Sequence, residues 1–542
     1  MPEGHGENTA PARPNIVLIV ADDMGFTDIG CFGSEIPTPN LDRMSRRGAR
    51  FSQMYNGARC CPSRAALLTG VYAQQAGIGH MTETGTEALP AYRGRLSERA
   101  VTIAEVLGDA GYRTGMVGKW HVGGRVPVGA DGVPDVTSSL HPMDRGFGKF
   151  WGTLMGAGSY YTPTSLLDGR TPVGDWAGQR LDDFYYTDAI GQRSAAMIED
   201  LSAGEQPFFL YVAHVAPHWP LHALDEDIAA VTEGFQAGWQ ALRAARHESA
   251  VGLGILSRTW AVSRTDPLLP SWEDAPDQDW ERERMKVYAA QIVALDRAVG
   301  RVLDTLERLG IAQDTLVMFL SDNGGCAEVL GAEGGGPIRP RHTRDGAPVH
   351  GGNVVGLRPG GEATYMSYGG AWAAASNSPF RRYKHWVHEG GISTPFLACW
   401  PAAIPAGVTS HEPVHLIDVM ATCVDVGGAA YPSIRGGQAI VPLEGQSFRA
   451  ALAGQPSDRV GAIFWEHEGN RAVRLGDLKL VSAHGDPWEL YRMDLDRTET
   501  DDLALRYPAD VHRMSSLWAD WARRAGVLPW DVVEPQLNRF WS

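Results

Sequence analysis

The chain has 542 residues, 44% of them hydrophobic and 21% charged, with a formal net charge of −16. That size and composition describe a soluble globular protein with room for an extensive core and two or more folding units. The acidic balance excludes a general nucleic-acid binder and a protein that docks on anionic membranes, and it requires any anionic substrate to be drawn in by a local basic cluster.

In chain order, residues 1–13 are polar, lack an apolar signal-peptide core and read as a loosely held N-terminus. Residues 15–21 (NIVLIVA) form an aliphatic run typical of a strand buried on both faces of a parallel sheet, ending in Asp22-Asp23. A cap-and-helix pattern follows at 38–48, with Thr38 as the cap and Gly48 as the stop. Pro62 suits a first helical turn and residues 65–68 are good helix formers, which puts Cys60 at a helix N-terminus, where free N–H groups favour an anion. Residues 102–110 read as helix, and 113–117 as a strand feeding Gly118-Lys119-Trp120-His121. The run 207–215 is another buried strand, ending just before His218. Apolar residues at helical spacing over 281–310 predict a long amphipathic helix closed by Gly310, and 315–320 a strand entering Ser321-Asp322-Asn323.

This alternation predicts an α/β fold, a large, mixed, mostly parallel sheet sandwiched by helices. Residues 331–370, rich in Gly, Pro, Arg and His, show no periodicity and read as a long loop of the kind that often serves as a lid. Beyond about residue 445, strand-like runs at 462–466, 471–475, 478–482 and 488–491 precede a helix at 511–525, a small antiparallel sheet with one helix. The expected organisation is a catalytic α/β domain over 14–444 and a small α+β domain over 445–542. No stretch has the apolar length of a membrane span. Six cysteines (Cys31, Cys60, Cys61, Cys326, Cys399, Cys423) do not make a secretory disulfide framework, so cytoplasmic residence is expected.

The carboxyl ends of strands in such a sheet are where ligands bind. Asp22-Asp23 and Asp322-Asn323 each end an apolar strand, and adjacent carboxylates repel unless a cation lies between them. Together they offer only oxygen, which suits calcium or magnesium rather than zinc; taken alone, each pair also suits a turn or a helix cap. His121 and His218, taken alone, read as ordinary hydrogen-bonded histidines, and Lys384 as part of a solvated basic surface.

The run Arg59-Cys60-Cys61-Pro62-Ser63-Arg64, with its Leu67-Leu68-Thr69-Gly70 tail, resembles the signature of the type I sulfatases, which belong to the alkaline-phosphatase-like superfamily. The likeness is greatest to the bacterial arylsulfatase branch. It extends through Thr38-Pro39-Asn40-Leu41-Asp42, Gly238-Trp239-Gln240-Ala241-Leu242-Arg243 and Ser321-Asp322-Asn323-Gly324 to Trp488-Glu489-Leu490-Tyr491 and Glu499-Thr500-Asp501-Asp502-Leu503. The resemblance implies that Cys60 is oxidised to Cα-formylglycine by a formylglycine-generating enzyme. Its hydrate attacks sulfur with one hydroxyl and uses the other to expel sulfate. It also implies one calcium ion bound by Asp22, Asp23, Asp322, Asn323 and the residue made from Cys60. Arg64 matches the arginine that holds the hydrate, Lys119 and Lys384 the lysines that grip sulfate, and His121 and His218 the two active-site histidines. His218 would assist the leaving oxygen and His121 would take a proton from the second hydroxyl. The expected partner is a small sulfate ester, and the expected assembly a monomer or small homo-oligomer. A phosphodiesterase or phosphonate monoester hydrolase on the same fold is the rival enzyme, and an anion-binding protein never oxidised at Cys60 the non-enzymatic one. Cys61 departs from the pattern and leaves open a disulfide or misdirected oxidation, although Cys60 alone has the right offset from Pro62 and Arg64.

Overall fold

The computed structural model describes residues 13–129, 133–179, 181–231, 234–457 and 459–537. Apart from Arg13, the expected loose N-terminus lies outside these described residues. Among them, eleven strands form one sheet: β1 (Asn15–Asp22), β2 (Ala49–Tyr55), β3 (Arg113–Gly118), β4 (Lys149–Thr153), β5 (Leu166–Asp168), β6 (Thr171–Pro172), β7 (Phe208–Pro217), β8 (Thr315–Ser321), β9 (Ser393–Cys399), β10 (Val408–Ser410) and β11 (Val414–His415). Their order is β10-β2-β9-β8-β1-β7-β3-β4-β5-β6, with β11 also paired to β2. The centre, β8-β1-β7-β3-β4, is parallel; β9 runs antiparallel between β2 and β8, and β4-β5-β6 form an antiparallel edge. The long aliphatic runs sit where both sheet faces are covered, so β7 and β8 are buried throughout and β1 at every residue but its first.

Helices cover both faces. On one lie α1 (Pro39–Arg47), α3 (Tyr186–Leu201) and the long α4 (Gln278–Arg308), which pack Leu41, Ile190, Leu295 and Val299 against Val17 and Ile19 of β1. On the other, α2 (Cys60–Thr69) and α5 (Leu416–Val426) pack Leu67, Leu68, Leu416 and Val419 against Ile16, Leu18 and Val20. Alternate residues of one strand thus feed two cores. The Thr38 cap is a correction: its hydroxyl accepts from Gly30 N (2.8 Å) instead of capping α1. The free N–H groups of Asn40 and Leu41 donate to the Asp296 carboxylate of α4 (3.1 and 2.8 Å), a partner remote in sequence.

Residues 331–370 are irregular but not unpaired. They carry a short parallel pair, His350–Gly351 with Thr364–Tyr365, and are tied by Arg344 Nε to Glu362 Oε2 (3.1 Å) and by Ser367 N donating to Asn353 Oδ1 (2.8 Å). Toward the C-terminus, β12 (Ile463–His467), β13 (Asn470–Leu475), β14 (Leu478–Ser482) and β15 (Glu489–Arg492) form an antiparallel meander, backed by α6 (Pro508–Ala525). Its other face shares a core with the large sheet: Ile463, Trp465, Val481 and Tyr491 pack with Tyr55, Ala58, Val387 and Ile392.

Candidate active site

Four neighbouring strands, β8, β1, β7 and β3, end on the same side, and register makes their following residues meet: Ala21 pairs with Ser321, and Asp22 with Pro217. The chain leaves these strands through unusual backbone. Asp23 (φ 64) and His121 (φ 54) occupy the left-handed region, rare for residues other than glycine and concentrated at functional sites. Gly118 (φ 104) is required, because a Cβ there would lie 2.0 Å from the Ala213 carbonyl oxygen. Gly156 leaves room for the His121 ring, which a Cβ would meet at 2.0 Å.

Cys60 opens α2, directly after the extended Arg59. Around it gather Asp22, Asp23, Arg64, Lys119, His121, His218, Asp322, Asn323 and Lys384, none more than 4% exposed. Lys119 Nζ donates to Asp22 Oδ2 (2.5 Å), Lys384 Nζ to Asp23 (2.8 Å), and Arg64 Nε to Asp322 Oδ2 (2.8 Å). Asn323 Nδ2 donates to Asp23 Oδ1 (2.6 Å), and His218 Nε2 lies 3.4 Å from Asp23 Oδ2. His218 Nδ1 donates to the Trp219 carbonyl (2.7 Å), which leaves Nε2 facing the cluster. Lys384, which taken alone read as basic surface and which the family resemblance drew into the site, is buried there, held by a carboxylate far away in the chain.

The charges balance, three carboxylates against two lysines and an arginine, yet the acids are not at ease. Burial pushes Asp322 up to about 7, with the Asp22 charge adding to the effect. Asp22 is raised by burial against the pull of Lys119 and Arg64. Burial also works to raise Asp23, but Lys384 and His218 outweigh it and hold the group below the ordinary carboxylate range. Most telling, Asp22 Oδ1 and Asn323 Oδ1 are buried with no hydrogen-bond partner. Two partnerless oxygens among crowded carboxylates fit a hard divalent ion such as calcium or magnesium. Such an ion would tip the balanced cluster to a net positive charge, as an anionic substrate requires.

Cys60 and Cys61 are both free thiols, so the disulfide that the sequence left open is not formed. The Cys61 thiol donates to Cys60 and, with Lys119, His121 and Lys384, outweighs burial to hold Cys60 well below the usual thiol range. Burial and the neighbouring Cys60 push Cys61 the other way.

Two groups escaped the sequence reading. Glu83, in the short 3₁₀ turn Thr82–Thr84, has Oε1 3.0 Å from His121 Nε2. Burial alone would lower His121, but the Glu83 carboxylate outweighs it and raises the imidazole above its ordinary value. Glu328 joins Arg59 Nη1 (3.0 Å) and Trp219 Nε1 (2.7 Å) at the more exposed rim. Arg59 and Trp219 each adjoin an expected residue, the one signal that pointed here.

Residues 14–429 match the family described as Sulfatase. The chain is 33% identical to the arylsulfatase of Klebsiella aerogenes over 81% of this chain and 92% of that protein. It is 29% identical to an uncharacterized sulfatase of Schizosaccharomyces pombe over 97% of each. Among solved structures, Ps i-CgsB in complex with k-i-k-neocarrahexaose superposes with a TM-score of 0.65 at 25% identity, over 97% of each chain.

Proposed function

The chain belongs to the sulfatase family and is a sulfuric ester hydrolase, and we propose that it cleaves aryl and related sulfate monoesters through position 60, matured to Cα-formylglycine, beside a bound calcium ion. The observation that carries this reading is the pair of partnerless oxygens, Asp22 Oδ1 and Asn323 Oδ1, in a charge-balanced cluster beside the first residue of α2. Asp22, Asp23, Asp322 and Asn323 would hold the ion, which supplies positive charge against an anionic nucleophile and the sulfate oxygens. A hydrated aldehyde at position 60 supplies two hydroxyls on one carbon, one for attack and one for release, which a serine lacks.

This chain's own side chains do the rest. Lys119 and Lys384 each have ammonium protons left beyond the one spent on Asp22 or Asp23, and these take the sulfate oxygens. Arg64, one turn along α2 from Cys60, spends Nε on Asp322, Nη1 on the Lys119 carbonyl and Nη2 on the His214 carbonyl. It therefore orients the cluster and offers position 60 its charge. His218 presents Nε2 to the leaving oxygen; burial lowers it to about 4, and the arriving anion is what favours its proton. His121 turns Nε2 to Glu83, with Cys61 Sγ beside the ring (3.2 Å from Nε2, 3.5 Å from Nδ1), and its Nδ1 is assigned the proton from a hydroxyl of the hydrate, with the carboxylate behind it stabilising the imidazolium.

No helix among the described residues is long and apolar enough to cross a membrane. Six free, buried cysteines support residence in the reducing cytoplasm.

Peptide mass spectrometry tests the reading. Active enzyme should show the cysteine-to-aldehyde loss of about 18 Da, as expected from making the nucleophile, at position 60. Cys60→Ser should be inactive and Cys61→Ala active. An aldehyde at 61, or full activity from an unmodified Cys60, overturns it.

A further inference from the structure

Beyond the rim of the site lies a cluster that sulfate hydrolysis does not use. β12 and β13 are joined by the two-residue turn Glu468–Gly469, with φ of 50 and 78. Both central residues of such a turn are left-handed, so Asn, Asp or Gly is preferred at the first place, and a glutamate there costs conformational energy. Its carboxylate gathers imidazoles. His385 Nδ1 lies 2.8 Å from Glu468 Oε2, His80 Nε2 2.8 Å from Oε1, and His467 Nε2 3.4 Å from Oε1. His385, the residue after Lys384, is itself left-handed at φ 89. His467 is 0% exposed, and neither of its ring nitrogens has a hydrogen-bond partner, against the rule that buried polar groups are paired.

One ligand atom each from His385, His467 and Glu468 lies within 4.8 Å of the others. Ligands about 2.0–2.1 Å from a tetrahedral zinc ion are about 3.3 Å apart, so small side-chain movements close this set on a metal. Two imidazoles and a carboxylate select a borderline transition metal, in contrast to the oxygen-only set at the strand ends. His80 stacks on His467 (5.7 Å between ring centres, 14°), and its Nδ1 bonds Thr84 Oγ1 (3.1 Å), so it steadies the Glu468 carboxylate from outside.

We propose that His385, His467 and Glu468 form a second metal site, for zinc or a similar ion, distinct from the site at the strand ends. An ion there ties the β12–β13 turn to the residue that follows Lys384 and so fixes the loop carrying that lysine. Burial lowers His467 to about 4, which keeps it in the neutral form that ligates.

Titration calorimetry of zinc chloride into matured, calcium-loaded, full-length enzyme tests this. One equivalent should bind, at least tenfold more weakly in His385→Ala and in His467→Gln, and unchanged in Cys61→Ala, which alters the cysteine pair beside His121. The half-buried His385 carries the test should His467→Gln fail to fold. Absence of zinc uptake, uptake indifferent to His385→Ala, or uptake lost with Cys61→Ala overturns the proposal. None of these results bears on position 60 or on sulfate cleavage.

Discussion

Two clusters of buried charge flank the segment from Lys384 to Glu389, and they handle the same electrostatic problem in opposite ways. At the seam between the large sheet and the C-terminal meander, Lys479 Nζ lies 2.8 Å from both Glu389 Oε1 and Glu499 Oε1, while Arg497 Nε lies 2.8 Å from Glu389 Oε2. Tyr55 and Ser393 hydroxyls donate to the same carboxylate, and the Arg497 guanidinium rests 4.5 Å over the Phe380 ring. No buried side-chain atom of these four charged residues lacks a partner. Burial works to raise Glu389, but Lys479 and Arg497 outweigh it and bring it down to about 2. At the strand ends the charges also balance, yet two acceptors are left over and Asp322 is driven up. A saturated network holds the fold together; one with spare acceptors is built for a ligand.

The largest effect that sharpens this contrast comes from Asp322→Asn, which keeps the shape and removes a charge. Turnover should fall to background, and the rise in melting temperature on adding calcium should vanish. Metal-free stability should not fall, and the sign follows from proton binding. The folded Asp322 keeps its proton up to about pH 7, whereas the unfolded carboxyl releases it near 3.8. The native state therefore binds more protons in between and loses stability as pH rises through that window. At pH 8 the metal-free variant should melt no lower than its parent; a large drop by calorimetry would mean that Asp322 is structural.

Lys479→Met should do the reverse. Removing one partner from a buried ion cluster costs about 3–5 kcal/mol, readable in urea melts, while the protein that remains folded binds calcium as before. A loss below ~1 kcal/mol would place the seam among ion pairs that contribute little. The smallest effect is expected for Glu83→Gln. Without the carboxylate His121 titrates lower, so the acid limb of the kcat profile should move to lower pH, with a plateau roughly tenfold down. An unmoved limb would reduce Glu83 to packing.

What could be read in the sequence and what could not divides along the same line. Asp22, Asp23, His218, Asp322 and Asn323 each close a strand whose apolar run announces it, and Lys119 and His121 follow the shorter β3, so their convergence follows from the sheet. Partners chosen across the fold leave no such trace. Asp296 in place of Thr38 as the cap of α1, Glu83 behind His121, and Glu468 among three histidines are pairings that exist only after the elements pack. Glu499 stood in a sequence motif, but its role in the seam needed Lys479 to be placed between it and Glu389. The 331–370 segment is irregular, as its lack of periodicity predicts; its tethers, such as Arg344 to Glu362, leave no pattern in the sequence to find.

Cys60 is 1% exposed, sealed beneath a sheet whose β7, β8 and β9 lie far downstream in the chain. Synthesis at ~5–20 residues per second delivers those strands on the order of ten seconds to a minute after Cys60 leaves the ribosome. The oxidation proposed for position 60 would thus have a deadline. On that proposal, an enzyme that modifies the cysteine would have to reach a nascent, still open chain, and a molecule that folded unmodified would stay inactive. Incubating folded, unconverted protein with such an enzyme should leave position 60 untouched, while the urea-unfolded chain or a short peptide spanning it is converted. Conversion of the folded form at a comparable rate would show that α2 opens on its own.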